Sequence, residues 1–230
     1  MNKLLFASLF SAIFFAISCK KSDDTVTPVT EKYMTLTAGS TWNYELINNT
    51  LPTTTTPYTL TALNRDSSIS GRSYRVFSNS NGPNEYYNIT SDNDYYTYRT
   101  ITSVIAAGER IDLYLITGQA KGFTWSQNYG FSMGGFPQTL TLTNTIADKG
   151  ISKTVNGITY TNVIHIKTVL TSTGLVAGAF TNDINSYYAP NVGLIENTTQ
   201  ATLTLPGAPG GPPTVLTENT TTRLKTATLL

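Results

Sequence analysis

The hydrophobic pattern of the chain repeats every two residues. It is clearest over residues 158–170, where one face carries Ile158, Tyr160, Ile164, Ile166 and Leu170. The opposite face carries threonine, histidine and lysine side chains. Because successive side chains of a β-strand point to opposite faces of the sheet, this alternation predicts a long antiparallel strand with one buried face.

Shorter alternations of the same kind predict strands near Trp42–Leu46, Arg110–Leu115 and Thr202–Leu205. Further strands are predicted over residues 57–63, 73–79, 85–90, 95–103, 138–146, 183–189, 192–198 and 214–228. The chain after Cys19 shows no stretch with the 3.6-residue period of an amphipathic helix. Threonine is the commonest residue type, and it favours strands. We therefore predict an all-β or β-dominated fold with few or no helices after the amino-terminal segment.

Turn residues separate the predicted strands. Asn156-Gly157 is the strongest hairpin signal, and residues 81–84 (NGPN) form a second. Residues 148–150 are predicted to break a strand, and the segments 52–57 and 206–213 are predicted loops. About ten or more strands at spacings near ten residues indicate a sandwich, a barrel or a strongly curved sheet.

Composition excludes several classes of function. Charged residues make up 13% of the 230 residues, the net charge is +1, and the chain has one histidine and one cysteine. Such a chain lacks the basic surface that nucleic-acid binding needs. It also lacks the ligands for a His/Cys metal cluster or a CxxC redox pair. We expect no metal site, no cofactor and no nucleic-acid partner.

Candidate catalytic groups are few. His165 lies on the polar face of a predicted strand, and the chain has no GxSxG serine motif; such a histidine is more often a surface group than a catalytic base. The carboxylate pairs Asp92/Asp94 and Glu109/Asp112 lie next to predicted turns, where acids are ordinarily solvated. We assign no catalytic residue and expect that the protein is not an enzyme.

The amino terminus has the pattern of an export signal. Lys3 precedes an uncharged apolar run of 14 residues over 4–17, shorter than the roughly 20 residues of a membrane-spanning helix. The run ends at Ala16-Ile17-Ser18-Cys19, which resembles the lipobox of bacterial lipoproteins. The resemblance implies a lipoprotein signal peptide over residues 1–18 and two-signal lipid anchoring to a membrane at Cys19. The alternative is a plain secretory signal followed by a stray cysteine.

The remaining chain divides into two parts. Residues 19–32 are polar and threonine-rich and contain Pro28, which is typical of a flexible tether. Residues 33–230 have the length of a single antiparallel β domain. Ser22-Asp23-Asp24 loosely resembles the surface-export signals of Bacteroidota lipoproteins. We expect an outer-membrane location, at the cell surface or on the periplasmic face.

Several motifs together resemble a group of uncharacterised Bacteroidota outer-membrane lipoproteins, which are related to periplasmic half-barrel domains such as the lipoprotein carriers. They are, in order, 33–44 (YMTLTAGSTWNY), 155–163 (VNGITYTNV), 187–195 (YYAPNVGLI) and a closing strand around Leu224-Lys225. The resemblance implies a curved antiparallel sheet, half-barrel or barrel-like. In the carriers this sheet surrounds a hydrophobic cavity that helices plug.

Aromatic residues are the candidate ligand-binding groups. Tyrosines cluster at positions 86, 87, 95, 96 and 98, and a glycine-rich stretch over 117–137 contains Trp125. Exposed Tyr and Trp suit sugar rings or protein partners. The candidate binding residues are Trp42, Tyr96, Tyr98 and Trp125. The alternatives are cross-strand tyrosine pairing and a core position for Trp42, while 117–137 reads as a mobile flap or as a plain surface loop.

Together these observations predict a lipid-anchored, non-enzymatic protein of the cell envelope. It is expected to bind an apolar or amphipathic ligand or partner on a concave sheet face. One alternative is a surface glycan-binding module of a nutrient-uptake system, and another is a structural or adhesive envelope protein.

Overall fold

The structure of the protein is a computed structural model. It describes residues 31–101, 108–133, 136–173, 175, 178–205 and 211–230. The predicted signal peptide, Cys19 and the tether up to residue 30 lie outside the described residues. Among the residues described, no helix is long and apolar enough to cross a membrane.

Twelve antiparallel strands form one sheet, and the described residues contain no helix, which confirms the predicted fold class. The strands are β1 Thr41–Asn48, β2 Thr54–Ile69, β3 Arg72–Asn79, β4 Glu85–Ile89, β5 Asp94–Ile101, β6 Gly108–Ile116, β7 Thr124–Met133, β8 Phe136–Val155, β9 Ile158–Ser172, β10 Phe180–Ala189, β11 Gly193–Leu205 and β12 Thr214–Thr228.

Strands that follow one another in the chain pair with each other, except β6 and β7. The sheet order is β6-β5-β4-β3-β2-β1-β12-β11-β10-β9-β8-β7, so the first strand pairs with the last. This leaves β6 and β7 as the two edges, and the sheet curls until they come into contact. The result is a barrel that is nearly closed, with a seam between β6 and β7.

The two ends of the barrel differ. The strands β2, β4, β6, β8 and β10 end at one end of the barrel, which we call the closed end. The strands β1, β3, β5, β7, β9 and β11 end at the other, which we call the mouth. Because β1 starts and β12 ends at the closed end, the chain both enters and leaves the barrel there.

The segment 31–40 fills the closed end. The Tyr33 N–H donates to the Tyr95 hydroxyl on β5 (2.8 Å), and the Tyr33 hydroxyl donates to the carbonyl of Asn162 on β9 (2.6 Å). The carbonyl of Lys32 accepts from the N–H of Asn191, in the turn between β10 and β11 (2.6 Å). Tyr33 and Met34 are both buried. An extended segment thus closes this end of the barrel.

A hydrophobic core lies above this segment, inside the closed half of the barrel. Trp42 is 1% exposed, and its indole Nε1 donates to the carbonyl of Val192 at 2.6 Å. Its ring contacts Phe77, with the ring centroids 5.5 Å apart. The core position of Trp42 confirms the structural interpretation of the motif over residues 33–44, and this tryptophan holds β1 against the turn between β10 and β11.

The Asn156-Gly157 hairpin is confirmed as the turn between β8 and β9. Both residues have positive φ, 49° and 81°, as a type I′ turn requires. The Asn156 side chain also donates to the carbonyl of Leu224 on β12 (2.7 Å). Residues 81–84 likewise connect β3 to β4.

The predicted break at residues 148–150 is wrong, because β8 continues through it. The register of β8 against β9 shifts between Ile146 and Asp148 and again between Lys149 and Ile151. Gly150 has a φ of 77°. The glycine therefore marks β-bulges, which bend a strand without ending it.

The predicted loop over residues 52–57 is shorter than expected, since β2 begins at Thr54. Pro57 lies opposite Glu45 of β1. The pairing of β2 with β3 starts only at Leu60. Pro57 thus lies where β2 has a neighbour on one side alone, a position that tolerates a missing N–H.

Candidate functional site

A cavity of about 440 Å³ occupies the half of the barrel towards the mouth. Inward side chains of nearly every strand reach it, and they are of mixed chemistry. The apolar part of the cavity wall consists of Leu142, Ile166, Leu170, Ile184 and Leu194. The polar part consists of Asn144, Thr168, Ser186, Asn197, Thr199 and Thr222. Its volume lies in the range of about 300–1,000 Å³ that is typical of small-molecule sites. The lumen of the barrel is therefore the candidate site.

Aromatic side chains separate this cavity from the core. Tyr114 packs against Tyr188 with ring centroids 5.5 Å apart, and against Tyr87 and Tyr95 at 6.1 and 6.2 Å. Tyr114 and Tyr188 also line the cavity. Burial raises the pKa of Tyr188 to about 12 and that of Tyr114 well above its usual value. These phenols stay neutral and form an uncharged floor.

Four charged residues from β4, β5 and β6 line the same side of the cavity: Glu85, Arg99, Arg110 and Asp112. We call them the charged cluster. Asp112 is 5% exposed. Its Oδ2 lies 3.2 Å from Arg110 Nε and 3.9 Å from Arg99 Nε. The Tyr129 hydroxyl lies 2.5 Å from its Oδ1.

Glu85 has its own donors within the barrel. Asn79 Nδ2 donates to Glu85 Oε1 (2.9 Å), and the Tyr87 hydroxyl donates to Oε2 (2.5 Å). Burial and the Glu85 carboxylate together hold the pKa of Tyr87 well above its usual range. Tyr87 therefore remains a hydrogen-bond donor to Glu85.

Arg99 points into the cavity. Desolvation lowers its pKa, but the carboxylates of Asp112 and Glu85 outweigh that effect, and the pKa of Arg99 is raised above its usual value. The Arg99 side chain lies on the cavity wall inside the barrel, and 42% of its surface is accessible to water in the cavity. Its Nε is buried and makes no hydrogen bond. The guanidinium is thus a permanent cation in the lumen.

The seam beside the charged cluster is held by side chains of β7, because no backbone ladder between β6 and β7 is found in the described residues. Trp125 Nε1 donates to the carbonyl of Leu113 (2.7 Å), and the Leu113 N–H donates to Gln127 Oε1 (2.9 Å). The Tyr129 hydroxyl lies 2.8 Å from the carbonyl of Ile111. Alternate residues of β7 therefore close the barrel.

This arrangement shows that both interpretations, as a loop or as a flap, are wrong for residues 124–133, whereas residues 117–123 do connect β6 to β7 as a loop. Thr124–Met133 is strand β7, and its alternation places Trp125, Gln127 and Tyr129 against β6. The inward positions include the polar Gln127, which weakens the period of two in the sequence.

The structure does not bring the four candidate binding residues together, and none of them lines the cavity. Trp42 is in the core and Trp125 is at the seam. Tyr96 lies on the outer face of β5, with the Arg72 guanidinium 3.4 Å from its ring centroid. Tyr98, on the same face, pairs with Tyr86 across the strands and donates to Glu109 (2.6 Å). Their role in binding stays a prediction.

The outer face also carries His165. Its Nε2 lies 2.9 Å from Asn185 Oδ1 and its Nδ1 3.4 Å from Asp148 Oδ2, and its ring stacks on Tyr187 at 4.4 Å. This agrees with a hydrogen-bonded surface histidine. Within the described ranges, no group of three or more His, Cys, Asp or Glu side chains is placed to hold a metal ion.

Most of this site is not evident from the sequence. There, Asp112 is considered only as a possible catalytic partner of Glu109. In the structure, Glu109 accepts from Tyr98 on the exposed surface, whereas Asp112 is buried against Arg110. The sequence feature that could have indicated this site is the position of Arg99. It lies an even number of residues from the buried Tyr95 on β5, so both side chains point to the same face of the strand. An inward-facing arginine in a strand indicates either an ion pair or a ligand.

Comparisons with known proteins identify no family. No protein-family model matches the chain, and neither does any curated protein. Among solved structures, it is similar to a crystal structure described as that of "a putative lipoprotein from Parabacteroides distasonis". The sequences are 10% identical, the match covers 86% of this chain and 99% of that chain, and the TM-score is 0.43. A likeness of this degree carries no conclusion about function.

Proposed function

We propose that this protein is a lipid-anchored, non-enzymatic protein of the cell envelope that binds a small amphipathic ligand in the lumen of its barrel. The observation that carries the proposal is the cavity of about 440 Å³, whose wall combines leucine and isoleucine side chains with amide, hydroxyl and charged groups. Apolar lining favours a hydrocarbon portion, and the polar groups would fix its orientation.

The lipid-anchor part of the proposal rests on the lipobox-like sequence ending at Cys19 and on the entry point of the chain. The described chain begins at residue 31 and enters the barrel at the closed end. A lipid attached upstream would therefore tether that end, and the mouth would face away from the point of attachment. A ligand would reach the cavity from the aqueous side.

The outer tyrosines support the glycan alternative less well. Tyr96 is covered by Arg72, and Tyr98 is engaged by Tyr86 and Glu109. A sugar ring would have to displace these contacts before it could stack on either tyrosine. The open lumen requires no such displacement.

The binding proposal is tested with the mature chain without its lipid-attachment residue, that is from Lys20 onwards, which contains every described residue. N-phenyl-1-naphthylamine, an uncharged probe that fluoresces in apolar sites, is expected to bind it. Thr199→Trp, which fills the cavity from β11, is expected to weaken that binding at least about tenfold. Gln200→Trp, on the exposed face of the same strand, is the matched control. Equal binding by both variants would place the probe outside the lumen and contradict the proposal.

The anchor is tested separately on the full chain in its native envelope. A radiolabelled fatty acid is expected to be incorporated into the wild-type protein and not into Cys19→Ala, while Ser18→Ala is expected to retain the label. Absence of label from the wild-type protein would leave the plain secretory signal as the better interpretation.

A further inference from the structure

We propose that Arg99 binds the anionic head group of the ligand, so that the barrel selects single-chain amphiphiles that carry a carboxylate. This inference rests on the proposed function, and it adds the chemical class of the ligand and the residue that recognises it. Its basis is the way in which the neighbouring carboxylates are already bonded.

Both carboxylates near Arg99 are satisfied by other donors. Asp112 accepts from Arg110 Nε at 3.2 Å and from the Tyr129 hydroxyl at 2.5 Å. Glu85 accepts from Asn79 and Tyr87, at 2.9 and 2.5 Å. Their charges attract Arg99, but each of them already accepts two hydrogen bonds from other residues.

Arg99 is left with an unused donor. Its Nε has no hydrogen-bond partner, and the distance of 3.9 Å to Asp112 Oδ2 is beyond hydrogen-bond range. A buried N–H of a charged group is costly when it has no acceptor. The Nε itself is shielded from the cavity, whereas 42% of the Arg99 side chain is accessible. A carboxylate entering from the cavity would meet that accessible part, and a planar guanidinium can bind both oxygens of a carboxylate.

The surroundings favour a single hydrocarbon chain behind that head group. The floor is uncharged, since it is made of Tyr114 and Tyr188. Leu142 and Leu170 face each other across β8 and β9 on the cavity wall. A chain held at Arg99 could therefore contact apolar side chains within the same cavity.

One further carboxylate borders the cavity and limits where an anion can lie. Glu218 belongs to β12, which is five strands away from β5 in the sheet order, almost half of the way around the barrel. An anion at Arg99 is placed away from it. The sign of the head group is therefore a direct test of the assignment.

The test measures displacement of N-phenyl-1-naphthylamine from the mature chain by laurate and by dodecyltrimethylammonium, which pair a hydrocarbon chain of similar length with opposite charges. Laurate is expected to bind wild-type protein at least about tenfold more tightly than the cation. Dodecyl phosphate is included to separate a carboxylate preference from a general preference for anions. Equal displacement by laurate and by the cation would overturn the proposal.

The variant arm uses Arg99→Gln, with Arg65→Gln as the control, since Arg65 is exposed on β2. Arg99→Gln is expected to lose at least about tenfold in laurate affinity relative to its affinity for the uncharged probe. Arg99→Lys, which retains the charge near Asp112 and Glu85, serves if the glutamine variant does not fold, and it is expected to lose part of the preference.

The outcomes separate this inference from the proposed function. If the uncharged probe binds in the lumen while laurate affinity is unchanged in Arg99→Gln, the role of Arg99 is wrong and lumen binding stands. If the probe does not bind the wild-type lumen at all, the proposed function itself fails. Tighter binding of dodecyl phosphate than of laurate would contradict the assignment of a carboxylate.

Discussion

Tyr129→Phe tests whether side chains of β7 hold the barrel closed. The substitution removes one hydroxyl and leaves the ring in place. That hydroxyl lies 2.5 Å from Asp112 Oδ1 and 2.8 Å from the carbonyl of Ile111. Because it carries a single proton, it contributes one strong hydrogen bond and not two.

The expected loss follows from the burial of the acceptor. The Asp112 side chain is 7% exposed, so water cannot fully replace the lost donor. A hydrogen bond to a charged, buried group stabilises a protein by about 1.5–3 kcal/mol. We expect the free energy of unfolding to fall by about that amount in Tyr129→Phe.

Urea unfolding of the mature chain at neutral pH, followed by tryptophan fluorescence, measures this change. Tyr98→Phe is the matched control, because its hydroxyl bonds to Glu109 on the exposed outer face. The control is expected to lose no more than about 0.5 kcal/mol. Hydrogen exchange should also speed up at the N–H groups of β6 in Tyr129→Phe. Equal losses in the two variants would show that the seam does not depend on this bond.

Three further predictions concern the core, a turn and the buried tyrosines. Trp42→Ala is expected to lower the free energy of unfolding by about 3–5 kcal/mol in urea, because this side chain is 1% exposed. Gly157→Ala is expected to lower the free energy of unfolding by about 1–2 kcal/mol, since the φ of Gly157 is 81°. Gly130→Ala is expected to lower it by less, because an added Cβ would meet open space there and the φ of Gly130 is not positive. Burial raises the pKa of Tyr33 and Tyr188 to about 12. In a pH titration followed by absorbance at 295 nm, these phenols are expected to ionise at a higher pH than exposed ones.

The sign of the pH effect follows from the direction of these shifts. A tyrosine whose pKa is higher in the folded protein stabilises it fully below the unfolded value of about 10. That contribution is lost as the pH rises from about 10 to 12. Ionisation of all tyrosines near pH 10 without unfolding would contradict the burial of Tyr33 and Tyr188. Likewise, a loss below about 1 kcal/mol in Trp42→Ala would contradict its place in the core.

Local patterns along the chain are sufficient to predict most of the strands and several turns. The alternation over residues 158–170 predicts β9, and Asn156-Gly157 predicts the turn before it, because both signals depend only on neighbouring residues. The same local logic fails at Gly150, where a bulge and a break have the same sequence signal. It also fails at β7, whose inward positions include polar Gln127.

The candidate site required the tertiary structure. Glu85, Arg99 and Asp112 belong to three strands, and only the pairing of those strands and their curvature bring the side chains to one wall of the lumen. The position of the seam depends on the accumulated twist of twelve strands, which no segment of the chain encodes alone. The sequence by itself thus determined a β fold and several of its turns, and it is the basis of the proposed anchor at Cys19. Closure of the sheet decided which polar side chains face a cavity and which face water.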